Sequence, residues 1–189
     1  LIDRTLIVDV SKENIKHLIN GIFKEGKLVY SVSRNIDKSG NLEYGTVCKY
    51  ENFKLKHLIT YKRLRTETHE HYEKGKLVMR CDKRNGVIDG LVIEYHPNEI
   101  VKKKYSMDRG TLDGDFVEFY GFGSIKELCK YKNGRKEGMH FYHDECGNLV
   151  KQQLYKEGKL LATISKENGD DVSNYLMNTI KLESIAGIA

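Results

Sequence analysis

Apolar residues recur along this chain at a fixed step. Leu77, Val101, Ile125 and Leu149 stand 24 residues apart, as do Ile93, Val117 and Phe141. Glycines keep the same step: Gly86, Gly110, Gly134 and Gly158 form one series, and Gly90, Gly114 and Gly138 a second. Each member of the second series follows an acid, namely Asp89, Asp113 or Glu137. A third series is Gly75, Glu99, Gly123 and Gly147, with Glu99 in a glycine's place. Self-similarity at a fixed period marks a repeat architecture. Between the glycines lie runs such as Asp115-Phe116-Val117-Glu118-Phe119-Tyr120, rich in strand formers. The unit therefore predicts two strands of about eight residues and two turns. Gly86 and its counterparts supply the positive φ that a short hairpin loop needs. The in-strand Gly90, Gly114 and Gly138 leave bare patches, which aromatic rings of the adjacent strand are expected to cover.

The regular repeats run over residues 70–164, and the same parts recur with uneven spacing over 20–69. Lys24-Glu25-Gly26-Lys27-Leu28, for instance, matches Lys156-Glu157-Gly158-Lys159-Leu160 residue for residue. Residues 1–19 hold an apolar strand, Leu6 to Val10, followed by Ser11 as the cap of a short helix through Leu18. Near the other end Val172, Tyr175, Leu176, Thr179 and Ile180 follow helical spacing. They predict a capping helix over 168–186, with Asp170 and Asp171 where helix N-termini favour negative charge. The expectation is one repeat domain over 1–189, all-β, whose terminal caps cover its edge strands.

Composition refines this picture modestly. The 189 residues carry 32 Lys+Arg against 27 Asp+Glu, a net charge of +5 that permits an acidic partner without requiring one. Lys102, Lys103 and Lys104 are consecutive, so in a strand they point to alternate faces. A second basic stretch contains Lys54, Lys56, His57, Lys62, Arg63 and Arg65. No apolar run reaches the roughly 18 residues of a membrane-spanning helix. Cys48, Cys81, Cys129 and Cys146 contain no CxxC pair, which excludes a zinc ribbon or thioredoxin-type motif. Reduced thiols, and with them a cytoplasmic location, are the expectation. The chain starts at Leu1 without Met, as a processed fragment would, and a signal peptide already removed would leave no trace.

Tyr131-Lys132-Asn133-Gly134-Arg135-Lys136-Glu137-Gly138, followed by Phe141-Tyr142 and Gly147-Asn148-Leu149, resembles the signature of the MORN-repeat variant family. The likeness recurs at 83–101 and 107–125 and partly at 155–160. The whole chain resembles the bacterial proteins grouped as YwqK-type antitoxins. It departs from the MORN repeat proper, which carries a Trp, because this chain has none. It departs again at Glu99, where the family's turn glycine is expected, so an irregular turn is anticipated at Pro97-Asn98-Glu99. The resemblance implies an elongated single-layer antiparallel sheet of consecutive hairpins. It also implies a role in protein interaction, or in attachment to membranes.

No catalytic constellation is visible. GxSxG, Walker A and GxGxxG after a strand are all absent. His69 and His71 offer two ligands where a zinc site needs three or four, and His71 and His143 would lie about 29 Å apart along a sheet. Neither an enzyme, a cofactor nor a metal site is expected. The more informative pattern is His71, Tyr95, Phe119 and His143 at 24-residue steps, flanked by Phe116, Tyr120 and Tyr142. In a single layer these rings form either ordinary cross-strand packing or an aromatic column that binds a partner. The expected function is a non-catalytic scaffold that binds another protein, of an antitoxin or immunity type. The alternative is a peripheral module for an anionic membrane or polyanion, using Lys102, Lys104, Lys62, Arg63 and Arg65. Nucleic acid is not the expected partner.

Overall fold

The structure, a computed structural model, describes residues 4–12, 15–24, 27–36, 42–52, 54–62 and 66–165. The chain falls into two compact units, Leu1–Glu99 and Ile100–Ala189. The first contains β1 (Arg4–Lys12), β2 (Ile15–Lys24), β3 (Lys27–Ile36), β4 (Leu42–Glu51), β5 (Lys54–Lys62), β6 (Thr66–Glu73), β7 (Lys76–Arg84) and β8 (Val87–Tyr95). The second contains β9 (Val101–Asp108), β10 (Thr111–Phe119), β11 (Ile125–Lys132), β12 (Arg135–His143), β13 (Leu149–Lys156) and β14 (Lys159–Ser165). Within each unit every strand pairs antiparallel with the next one in the chain. The described residues are thus all-β, built from consecutive hairpins, as the alternation of strand-forming runs and glycine turns predicts.

The turns explain the glycine series. Among the described residues, five hairpins close through two residues that both have positive φ, including Asn85-Gly86 (52° and 80°) and Asn133-Gly134 (49° and 75°). This is the type I′ geometry, whose twist matches that of the strands it joins. The turns after β8, β10 and β12 are longer. At 120–124 the amide of Gly123 donates to the Tyr120 carbonyl at 2.9 Å, and at 144–148 Gly147 does the same to Asp144 at 3.0 Å. Glu99 takes the corresponding conformation, with φ at 68° and its amide 2.8 Å from the His96 carbonyl. The irregular turn anticipated there is therefore regular in shape, and a glutamate bears the strain.

The acid series has an architectural purpose. Asp113 accepts the backbone N–H of Asn133 at 2.8 Å, and Glu137 accepts that of Glu157 at 2.8 Å. Each carboxylate clasps the turn one hairpin ahead, so its recurrence every 24 residues follows from the stacking of turns. The in-strand glycines sit within strand irregularities. Tyr131 stands opposite Gly114 and Tyr155 opposite Gly138, the adjacent aromatics that were expected. Yet a Cβ on Gly114 would lie 3.2 Å from the Ser106 Cβ, and one on Gly138 would meet nothing within 4 Å. Both glycines are set by their positive φ, 103° and 73°, more than by cover from a ring.

Two helical expectations fare differently. The short helix placed over 11–18 does not form, because Ser11 and Lys12 end β1 and Ile15 begins β2. β-branched Ile15, Ile19 and Ile22 favour extended backbone, and pairing with β1 gives their backbone groups partners. The capping helix over 168–186 lies outside the described residues.

Candidate functional site

Paired residues of antiparallel strands share a face, so the register sorts the second unit's side chains into two sets. One side carries a row of rings. Tyr105 and Phe116 have centroids 5.9 Å apart, Phe116 and Tyr131 5.8 Å, Tyr131 and His140 5.9 Å, and His140 and Tyr155 4.7 Å. The other side carries an apolar strip bordered by charged residues, among them Lys104 opposite Val117. Val117 pairs with Leu128, Leu128 with Phe141, and Phe119 with Ile125. Leu128 and Ile125 each keep 38% of their surface exposed. The exposed Asp115–Lys130 ion pair, 3.5 Å long, stands beside them.

The anticipated column breaks into separate places. His71 pairs with Met79, and Met79 with Glu94, so Tyr95 lies one residue past that line, on the opposite side of β8. The His71 Nδ1 instead meets the His57 Nε2 at 3.0 Å, with the Glu73 carboxylate 3.6 Å from the His71 Nε2. In the second unit Phe119 and His143 end their strands on the aliphatic side, and the His143 Nδ1 is buried without a hydrogen-bond partner. Tyr142 points to the ring-bearing side, where Lys151 Nζ lies 4.0 Å from its centroid. The Tyr120 hydroxyl donates to the His143 carbonyl at 2.9 Å, and its ring stacks on Phe122. Bulges such as those at His71/Tyr72 and Glu118/Phe119 add a residue to one strand and reverse the facing of the residues beyond them. A constant step in sequence is then not a constant face.

The basic candidates also separate. Lys102 and Lys104 are exposed on one side of β9, while Lys103 is half-buried opposite Glu118. Arg63, Arg65 and the Lys62 side chain lie outside the described residues.

One constellation has no precedent among the sequence candidates. Glu127 and Cys129, alternate residues of β11, project to the ring-bearing side. The strand irregularity between Leu128 and Lys130 brings His140 of β12 beside them. The Cys129 Sγ lies 3.7 Å from the Glu127 Oε1, and the His140 Nδ1 3.8 Å from that oxygen. All three potential ligand atoms fall within 4.8 Å of one another. Cys129 and His140 are buried, at 2% and 0% exposure. Lys136 Nζ approaches the same oxygen at 3.6 Å and also donates to the Tyr142 hydroxyl at 3.2 Å.

The electrostatics follow from these distances. The adjacent His140 ring and the Lys136 ammonium hold the Glu127 carboxyl below its ordinary range, against burial, which works the other way. Burial, and then the Glu127 charge, push the Cys129 thiol up to about 12. Cys129 is therefore a protonated thiol at neutral pH, not a ready nucleophile. In sequence the only trace of this cluster is Glu127-Leu128-Cys129, two ligand types at strand spacing. The third member depends on a register that the sequence does not display.

The described chain thus belongs to the class of antiparallel hairpin-repeat proteins. Its sequence matches no known family profile and no curated protein. Among solved structures it is similar to TarM, at 11% identity and a TM-score of 0.29, over 65% of this chain and 22% of that one. A likeness that low carries no argument about function, and this chain spans about a fifth of the length of that protein.

Proposed function

We propose that this protein is a non-catalytic repeat scaffold that binds another protein, through the aliphatic side of its second unit. The observation that carries the reading is the patch of Phe119, Ile125, Leu128 and Phe141. Two of its members are more than a third exposed, and a charged pair stands beside them. An apolar centre with a polar rim is the anatomy of a protein interface. The resemblance to MORN-variant repeats supports the same reading, since those proteins are associated with protein interaction, and an antitoxin or immunity-type partner is the form it suggests. Lys104 pairs with Val117 on the same side, so it borders the patch as part of its charged rim, and membrane or polyanion attachment is the second reading.

The test is capture of partners from the source cells by the tagged protein, washed at low and high salt, alongside Leu128→Glu. A stoichiometric protein that survives high salt and is lost with Leu128→Glu supports the proposal. Recovery only of lipid or nucleic acid, released by salt as counterion-driven binding requires, overturns it. A protein retained equally by Leu128→Glu would remove the surface assignment.

A further inference from the structure

The Glu127–Cys129–His140 cluster brings three kinds of metal-ligand atom within 4.8 Å of one another in a largely buried place. The His140 Nε2 lies 3.1 Å from the Lys130 carbonyl. A carbonyl only accepts, so this nitrogen carries a hydrogen, and a metal that displaces any proton from Nδ1 would find a lone pair there. That Nδ1 is wholly buried, has no hydrogen-bond partner, and faces Glu127 at 3.8 Å. Buried polar atoms are nearly always paired, and 3.8 Å is too long for a hydrogen bond to Glu127, so the space between this nitrogen, the thiol and the carboxylate has room for a common partner. Fixing one ring nitrogen by donation to a backbone carbonyl is also how metal-binding histidines are oriented.

We propose that Glu127, Cys129 and His140 bind one divalent transition-metal ion of the zinc class, through Oε1, Sγ and Nδ1. With Zn–ligand bonds of about 2.0 to 2.3 Å, tetrahedral ligands lie roughly 3.3 to 3.7 Å apart. The 3.7 Å and 3.8 Å separations from Oε1 require only a small contraction, and the third, between Sγ and Nδ1, lies within 4.8 Å and closes by rotation of the Cys129 and His140 side chains. A mixed sulfur, nitrogen and oxygen set selects Zn²⁺ or Co²⁺ over Mg²⁺ and Ca²⁺, which take oxygen. Three protein ligands leave the fourth position for water. The Cys129 S–H bond breaks as the sulfur–metal bond forms, and the proton goes to solvent. Lys136, now 3.6 Å from Oε1, gives way to the metal. It already has a second resting place between the Tyr142 hydroxyl at 3.2 Å and the Tyr155 ring at 5.0 Å.

The probe is Co²⁺ alone, added to the full chain under reducing conditions with its metal content measured after dialysis. One equivalent should bind, with a thiolate-to-cobalt charge-transfer band in the near ultraviolet and the visible bands of a four-coordinate ion. Cys129→Ser should abolish the charge-transfer band, and His140→Gln and Glu127→Gln should each weaken binding about tenfold or more. Because Cys129 and His140 are buried, circular dichroism accompanies each variant. The Cys48→Ser/Cys81→Ser/Cys146→Ser variant should retain the band, which tests the assignment without altering the site. No band in the wild-type protein, a band that persists in folded Cys129→Ser, or one lost in the folded triple variant would overturn the proposal. None of these readouts depends on the partner-binding patch.

Discussion

At the scale of single residues, Glu99 sits in the left-handed region at a φ of 68°, where Gly123 and Gly147 stand in the equivalent turns. A side chain in that region costs on the order of 1 to 2 kcal/mol, partly offset by the greater freedom that glycine would have in the unfolded chain. Glu99→Gly is therefore expected to stabilise the protein by roughly 0.5 to 1 kcal/mol, measured as a shift in the denaturant midpoint at constant slope. Gly114→Ala should do the opposite. Its φ of 103° and the Ser106 Cβ at 3.2 Å give the methyl neither a comfortable backbone nor space, at a cost of about 1 to 3 kcal/mol. The cysteines divide by exposure rather than by number: Cys146 is exposed, whereas Cys81 and Cys129 are buried. Brief alkylation of the native protein, read by peptide mass spectrometry, should modify Cys146 well before Cys81 or Cys129.

At the scale of elements, the 24-residue period is a device for stacking turns. The carboxylate of one hairpin receives the amide of the next turn, as Asp113 does from Asn133. Asp113→Ala should cost about 0.5 to 1.5 kcal/mol and raise hydrogen exchange first in the Asn133-Gly134 turn. A second element-level consequence lies between β5 and β6, where His57 faces His71. Burial, and then the neighbouring His71, lower the His57 pKa below 6.5. The unfolded chain therefore binds the proton more readily. The associated stability is fully present above about pH 6.5 and is lost as pH falls through the folded value. Thermal melts between about pH 8 and pH 5 should show this loss, and His57→Gln should flatten the dependence. A melt unchanged in His57→Gln would assign the loss to another group.

At the scale of the whole molecule, each described strand pairs within its unit only with its chain neighbours, so contacts are short in sequence. Stability in such arrays is approximately a sum of repeat and nearest-neighbour contributions. A lesion such as Gly114→Ala should lower exchange protection in β9, β10 and β11 more than in β3 to β5. Uniform loss over all strands would show the chain unfolding as one cooperative body.

The hairpins, the turn glycines and the strand content were legible from residue order, because each rests on local rules. A positive φ needs glycine or a tolerant residue, and Val, Ile, Phe and Tyr favour pleated backbone. The acids before Gly114 and Gly138 were visible as a series, but their task was not, since Asp113 and Asn133 meet only when turns stack. The aromatic column failed for a related reason. Single-residue bulges reverse facing, so His71 and Tyr95 fall on opposite sides of the first unit, while Phe119 and His143 share a side of the second with Ile125 and Leu128. The sequence by itself determined a repeated antiparallel hairpin. Only the tertiary structure decided which side chains look at one another, and so produced both the aliphatic patch and the meeting of Glu127, Cys129 and His140. Facing depends on register, and register is settled by bulges and by packing between strands, which no single repeat contains.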